Sequence, residues 1–360
     1  MLSSLGSIIN SSKNSSIGID IGTSSIKIVH LSGSTEKVVL ENFVIARLKE
    51  GLIQNSNQII AGKQIAQIIK VAMEKGGIKS GTISFSIPTF SSFSSFITLP
   101  RSDEENLASK VEIEARKYIP VPLSEVSLGW EIVPDNYKPR SMEIKSQEKI
   151  IKILLMAVSK DIIQKYEAIA RSAGLNLGSM EVETFSLIRC LIGQDKTPSL
   201  IIDIGSRVSN LMIVTEGFLR GSSSIDVGGG EVTEAVARGM GVDFIRAEAL
   251  KKEWGVDNPQ VAELITPVIL RIVQGIKKAI ESYEKNNPSK KMEKIILIGG
   301  TSKMKGFKEY LKKELNLKIE DGNSLKLVSV EKLVEPLVQK FKDELAVAVG
   351  IALSGMENLQ

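Results

Sequence analysis

Ile17-Gly18-Ile19-Asp20-Ile21-Gly22-Thr23-Ser24-Ser25-Ile26-Lys27-Ile28-Val29 returns, altered but legible, as Leu200-Ile201-Ile202-Asp203-Ile204-Gly205-Ser206-Arg207-Val208-Ser209-Asn210-Leu211-Met212. Each copy is an apolar run, then Asp-Ile-Gly-[Ser/Thr], then small or polar residues, then a second apolar run. That pattern predicts a β-hairpin whose tight turn exposes backbone N–H groups and hydroxyls, with one carboxylate at its mouth. Two such hairpins facing each other can grip a polyphosphate from both sides while Asp20 and Asp203 hold a hydrated Mg²⁺. A single Asp-x-Gly turn is ordinary turn chemistry. Two copies flanked by strands, one in each half of the chain, favour the phosphate-gripping reading over two structural hairpins. The chain is predicted to close two lobes on a nucleotide.

The composition narrows the chemistry further. The 360 residues are 42% apolar and 24% charged, enough to bury the cores of two lobes with insertions. A net charge of +4, from 46 basic and 42 acidic residues, gives little electrostatic drive towards nucleic acid. With one cysteine, Cys190, and one histidine, His30, the chain lacks the parts for a disulfide scaffold, a Cys/His zinc site or a Ser/His/Asp triad. No apolar run reaches the roughly 20 residues that span a bilayer. Met1–Ser16 has neither the basic start nor the long apolar segment of a signal peptide, so it reads as a disordered tail of a cytoplasmic protein.

The coarse pattern is α/β. The first hairpin leads to a third strand at Lys37–Ala46, a helix at Asn57–Lys75 and a strand at Thr82–Ile87, stopped by Pro88. Pro88–Gly174 is styled differently. A capping box at Ser102–Glu105 opens a helix, Val126–Ile132 alternates as a half-buried strand, Pro134–Gln147 is a polar loop or hairpin tip, Lys149–Val158 is a strand, and Ser159 caps a helix through Ala173. This reads as a compact inserted α+β subdomain. The expected organisation is a tail (1–16), a first lobe (17–87), the insertion (88–174) and a first connecting helix (175–198). A second lobe (199–341) and a closing helix returning to the first lobe (342–360) complete it.

Three further features bear on chemistry. Glu183, in Val182-Glu183-Thr184-Phe185, stands at a helix start between the two hairpins; it either orients a water for in-line attack on a γ-phosphate or satisfies the helix dipole. Glu248 with Lys251 and Lys252 shares one helix face, which suits ribose recognition or an exposed ion pair. Gly299-Gly300-Thr301 after a buried strand lets the backbone approach a flat base, and Gly228-Gly229-Gly230 offers another loop of that type.

The order Asp20, Glu183, Asp203, Glu248, Gly300 resembles the actin-like ATPase superfamily: phosphate loop, connecting helix, phosphate loop, nucleoside helix, adenosine Gly-Gly. Lys27 falls where that superfamily places a phosphate-binding lysine. The insertion narrows the resemblance to the FtsA and PilM families. PilM is closer, on Glu112-Ile113-Glu114-Ala115-Arg116-Lys117-Tyr118-Ile119-Pro120-Val121-Pro122-Leu123-Ser124-Glu125-Val126, Glu181–Phe185, Thr233, Ala247-Glu248 and Leu345–Leu353. FtsA-type proteins usually continue into a linker and an amphipathic membrane-targeting helix, and this sequence stops soon after Leu353.

The resemblance implies an actin-like fold of two α/β lobes with an α+β subdomain inserted in the first. ATP and Mg²⁺ are expected at Asp20, Gly22, Thr23, Ser24, Ser25, Lys27, Asp203, Gly205, Ser206, Ser209, Gly228, Gly229, Glu248, Lys251, Lys252, Gly299, Gly300 and Thr301. Asp20 and Asp203 would serve the metal, and Glu183 would serve slow hydrolysis at most. The implied role is a cytoplasmic scaffold of a type IV pilus, or type II secretion-like, inner-membrane complex. It would dock the N-terminal cytoplasmic peptide of a PilN-like single-span membrane protein in a groove between first lobe and insertion, among other pilus assembly proteins, with self-association open. The alternative is an FtsA-like, filament-forming cell-division ATPase. Arg207 and Asn210 in the second loop, and Thr301 after Gly-Gly, depart from the family pattern.

Overall fold

Two sheets of one design carry the repeated motif. The computed structural model describes residues 14–34, 37–48, 58–79, 81–100, 106–134, 150–330, 332 and 334–357. Residues 1–13 of the expected tail, the capping box and nearly all of the polar stretch 134–147 lie outside the described residues. In the first half, strands β1 (Asn14–Ile21), β2 (Ser25–Ser34) and β3 (Lys37–Arg47) precede helix α1 (Gln58–Lys75) and β4 (Thr82–Ile87). Then come β5 (Ser92–Pro100), α2 (Leu107–Ala115), β6 (Val126–Val133), β7 (Ile150–Ser159), α3 (Lys160–Ala173), β8 (Leu177–Val182) and α4 (Glu183–Leu191). The second half begins with β9 (Ser199–Ile204), β10 (Ser209–Thr215), β11 (Phe218–Ile225), α5 (Gly229–Met240), α6 (Phe244–Trp254) and α7 (Pro259–Asn286). It ends with β12 (Lys294–Ile298), α8 (Phe307–Leu315), β13 (Lys318–Asp321), β14 (Ser329–Val330), α9 (Glu335–Phe341) and α10 (Ala346–Glu357).

The first sheet runs β3-β2-β1-β4-β8, extended by β14 beside β3, and the second runs β11-β10-β9-β12-β13. In both, the first two pairings are antiparallel and the last two parallel. The repeat in sequence is thus a repeat in topology. It puts Asp20 across from Lys27, and Asp203 across from Asn210, at the same place in each hairpin.

Alternation along β1 sends Ile17, Ile19 and Ile21 into a core shared with α1 and α3. The opposite face meets α10, where a Cβ on Gly18 would stand 2.1 Å from the Ala348 carbonyl oxygen. On its other side α10 crosses α4 so closely that a Cβ on Gly350 would be 2.0 Å from the Ser186 carbonyl oxygen. With neighbours on both sides, α10 has no polar face, and Ala346 through Met356 are all buried. The cluster built on α4 and α10 joins Val29 and Leu31 of the first lobe to Ile201, Met212 and Ile296 of the second.

Three boundaries differ from the sequence reading. Strand β1 begins at Asn14, inside the segment assigned to the tail, because Asn14–Ser16 continue the β2 ladder. The closing helix begins at Ala346. Helix α3, assigned to the insertion, instead buries Tyr166, Ile169, Ala170 and Ala173 in the first lobe's own core, Tyr166 lying edge-on to Phe85 with ring centroids 5.8 Å apart. The insertion's separate core is the sheet β5-β7-β6 with α2, built on Ile97, Val111, Ile153 and Leu155.

Candidate functional site

Both hairpins close with the same turn: Gly22 N–H donates to the Ser25 carbonyl at 3.0 Å, and Gly205 N–H to the Val208 carbonyl at 3.0 Å. The glycines keep these turns tight; a Cβ would stand 3.1 Å from the Ser25 oxygen in one and 3.0 Å from the Val208 oxygen in the other. At the strand ends, Lys27 Nζ donates to Asp20 Oδ2 at 2.9 Å and Ser86 Oγ to Asp20 Oδ1 at 3.0 Å. Burial alone would lower the Lys27 pKa, but the fields of Asp20, Asp203 and Glu183 outweigh it and hold the ammonium above its ordinary value.

Glu183 enters this cluster from the first turn of α4 and accepts the Thr89 N–H at 3.2 Å. Burial, reinforced by the charges of Asp20 and Asp203, pushes its carboxyl up to about 8. Asp203 is pushed up to about 6, by burial first, with Lys27 opposing and Asp20 adding to the rise. Three carboxyl groups surround one ammonium, and the two aspartates alone outnumber it in charge, which a cation would relieve.

On the second-lobe wall the Lys251 ammonium is 3% exposed at residue level, and its donors are engaged by the Gly229 carbonyl (3.1 Å), Thr233 Oγ1 (2.9 Å) and Glu248 Oε2 (2.5 Å). Thr233 Oγ1 also donates to Glu248 Oε2 at 2.5 Å. Lys251 therefore braces Glu248 and the glycine loop, while Lys252, 3.1 Å from Glu248 Oε1, is the exposed member. The i,i+3 and i,i+4 pattern thus divides into one buried and one exposed pair. Burial would raise the Glu248 pKa, but Lys251 and Thr233 bring it below its ordinary value.

These groups line one cleft of about 350 Å³ between the lobes. All the binding and catalytic residues expected from the sequence border it except Ser209 and Gly228. Ser209 sits inside β10, opposite Ile204, and donates its hydroxyl to the Val227 carbonyl at 2.7 Å. Gly228 packs on the backbone of Ser206, where a Cβ would come within 2.6 Å. Gly229 and Gly230 spend their N–H groups on the carbonyls of Gly205 and Ser206, at 2.8 and 2.7 Å, so this loop braces the second hairpin instead of presenting free donors. Gly299 adopts φ +92° against Asp203, whereas a Cβ on Gly300 would meet open space. Sequence reasoning missed Ser86, Thr89, Phe90, Phe244 and Asp343. Ser86 lies near the end of β4, and Thr89 and Phe90 follow it in Ser86-Ile87-Pro88-Thr89-Phe90, whose only visible signal was a strand stop.

The family model for the type IV pilus assembly protein PilM matches residues 18–356. The chain belongs to the PilM family. A solved PilM–PilN type IV pilus biogenesis complex resembles it with a TM-score of 0.81 at 23% identity, covering 95% of this chain and 98% of that one. The ethanolamine utilization protein EutJ from Carboxydothermus hydrogenoformans resembles it with a TM-score of 0.55 at 17% identity, covering 94% and 89%. Cell division protein FtsA from Enterococcus faecalis is 21% identical over 361 residues, 86% of this chain and 79% of the relative. FtsA from Pseudomonas aeruginosa is 23% identical over 351 residues, 85% and 82%. The fold is that of the actin-like ATPases, in a protein of a pilus assembly family.

Proposed function

We propose that this PilM-family chain binds magnesium nucleotide between its two hairpins and serves as a scaffold of a type IV pilus or related secretion complex. Its partner is the cytoplasmic N-terminal peptide of a PilN-like single-span membrane protein, which recruits it to the inner membrane. The observation that carries the reading is the meeting of two Asp-Ile-Gly turns at one cleft, each with its carboxylate at the strand end. The donor set suits MgATP. Turn N–H groups, the hydroxyls of Thr23 and Ser24, and Lys27 are donors for phosphate oxygens, and the cleft volume falls in the range of small-ligand sites. Among the described residues no three His, Cys, Asp or Glu groups converge to ligate an ion directly. Mg²⁺ keeps its waters and is held through them by one or two carboxylates, the part that Asp20 and Asp203 would play. Bound MgATP supplies the phosphoryl group and its counter-charge. Glu183, held by the Thr89 N–H at the start of α4, orients water by hydrogen bonding, and turnover is slow at most.

A second cavity, of about 360 Å³, lies where first lobe and insertion meet, walled by Phe90, Phe93, Met156 and Phe185 with a rim of hydroxyls. It suits apolar side chains of an extended peptide, and the solved PilM–PilN relative supplies the kind of partner. Among the described residues no helix is long and apolar enough to cross a membrane. A ligand that binds only the folded state raises stability by mass action, so MgATP should raise the melting temperature of the wild type and do so less in Asp20→Ala and Asp203→Ala. Equal shifts in all three proteins would sink the nucleotide site. Co-sedimentation with liposomes displaying the PilN-type peptide should exceed that with bare liposomes; strong binding to bare liposomes without gain from the peptide would favour FtsA-like behaviour.

A further inference from the structure

The segment that leads from the second lobe back to α10 carries two adjacent carboxylates, Asp343 and Glu344, and both border the cleft. Glu344 pairs with the first lobe: it lies 2.7 Å from Arg47, which is in register with Ser25 of the first turn. Asp343 pairs with the second lobe instead. Its Oδ2 lies 2.9 Å from Lys303 Nζ, which also donates to the Lys340 carbonyl at 3.0 Å. Asp343 is 5% exposed, and among the described residues its other oxygen, Oδ1, has no hydrogen-bond partner. A buried acceptor left unmet costs free energy, so this oxygen at the cleft wall calls for a donor from outside the chain.

The surroundings of Asp343 say which donor. Lys303 ends the single 3₁₀ turn Gly300–Lys303, which starts at the Gly-Gly pair. Gly300 borders the cleft with open space where a Cβ would stand, so a flat base can lie against its backbone. With phosphates at the two hairpins and ribose at Glu248, the base is the part of a nucleotide left to meet this turn. A carboxylate accepts hydrogen bonds and donates none. Adenine carries an amine at position 6, a donor, where guanine and hypoxanthine carry an oxygen, an acceptor.

We propose that Asp343 is a specificity-determining residue that makes the cleft selective for adenine, its Oδ1 accepting from the 6-amino group while Lys303 holds Oδ2. This rests on the nucleotide reading above. A 6-oxo purine would set acceptor against acceptor and leave the buried oxygen unmet, the kind of mismatch by which a polar site discriminates most strongly. The Lys303 contact also fixes what a substitution does. In Asp343→Asn the lysine, which can only donate, keeps the amide oxygen and leaves the amide N–H₂ for the base, so an acceptor becomes a donor. In Asp343→Ala no buried charge is stranded, because the Lys303 side chain is half-exposed.

The test compares the dissociation constants of the whole chain for ATP and ITP, by calorimetry with Mg²⁺. ITP has an oxygen in place of the 6-amine and a proton on N1. Wild type should bind ATP tighter than ITP by about tenfold or more. Asp343→Ala should bind the two within about threefold of each other, and Asp343→Asn should bind ITP the tighter. A wild type that binds both alike, as it would if a water satisfies Oδ1, or that binds ITP better, overturns the role of Asp343 and leaves the nucleotide site standing. So does either variant if it keeps the wild-type ratio. A wild type that binds neither nucleotide overturns the nucleotide reading and the selectivity with it. Asp343→Asn keeps the side chain's shape, so it decides the matter should the alanine variant not fold.

Discussion

Glu183→Gln should stabilise the protein without nucleotide, and by an amount that grows with pH. In the native state the carboxyl is buried among Asp20 and Asp203 and titrates near 8, against an ordinary value of 4.5. The folded state therefore holds a proton that the unfolded state releases between those two values. Stability falls as pH rises through that window, is unaffected by this group below pH 4.5, and levels off above 8. At pH 7 the window already traversed is about 2.5 units, which sets an upper bound on the order of 3 kcal/mol. Glutamine keeps the shape and the acceptor for the Thr89 N–H and removes the titration. Thermal unfolding of wild type and variant at pH 5, 6.5 and 8, without magnesium, should give a difference near zero at the first and several degrees at the last. The rise of Asp203 to about 6 tilts both proteins the same way, so it largely cancels in the difference. An offset that does not vary with pH, or a variant less stable at pH 8, would refute the reasoning that Glu183 is held protonated.

Two other outcomes test the packing that positions the site. Gly350→Ala forces a Cβ into the Ser186 backbone and should cost about 1–3 kcal/mol in denaturant unfolding. Gly174→Asn, at a left-handed helix end where a Cβ meets open space, should stay within about 1 kcal/mol. Arg189 forks onto Glu181 with bonds of 2.7 and 3.0 Å, and Glu181 also accepts from Ser186 and Ser354. This half-exposed network ties β8 and α4 to α10, so Arg189→Ala should cost about 1–3 kcal/mol, with a smaller loss in the Arg189→Ala/Glu181→Gln double variant than the sum of the single losses.

The hairpins were legible because a strand's alternation and an Asp-Ile-Gly turn are local, and a local signal survives whatever packs on it. Ser209 looked like part of the second turn, but its pairing with Ile204 makes it a strand residue whose hydroxyl points at Val227, and register is a property of two segments. The glycines at 228–230 carried the composition of a phosphate loop; only the fold discloses that Gly205 and Ser206 had already taken their N–H groups. Helix α3 has a clean apolar stripe, and a stripe names a face but not the element it meets. Thr89 carried no signal at all, since the Glu183 it serves lies 94 residues further on.

Lys27 and Asn210 occupy the same register in two hairpins of one design, and their difference divides the work of the cleft. The first hairpin gives its aspartate a direct ion pair at 2.9 Å. The second gives Asp203 a neutral amide as cross-strand neighbour; burial, opposed by Lys27 and helped by Asp20, raises that carboxyl to about 6. The two aspartates thus differ in their partners: Asp20 is paired directly with a cation and Asp203 is not. Asn210, free of any charge to balance, spends its acceptor on Ser224 and so on the strand that walls the second cavity. A lysine there would offer only donors and could not accept that hydroxyl. One copy of the repeat thus keeps a cation beside its aspartate, and the other holds a neutral amide that ties the cleft to β11.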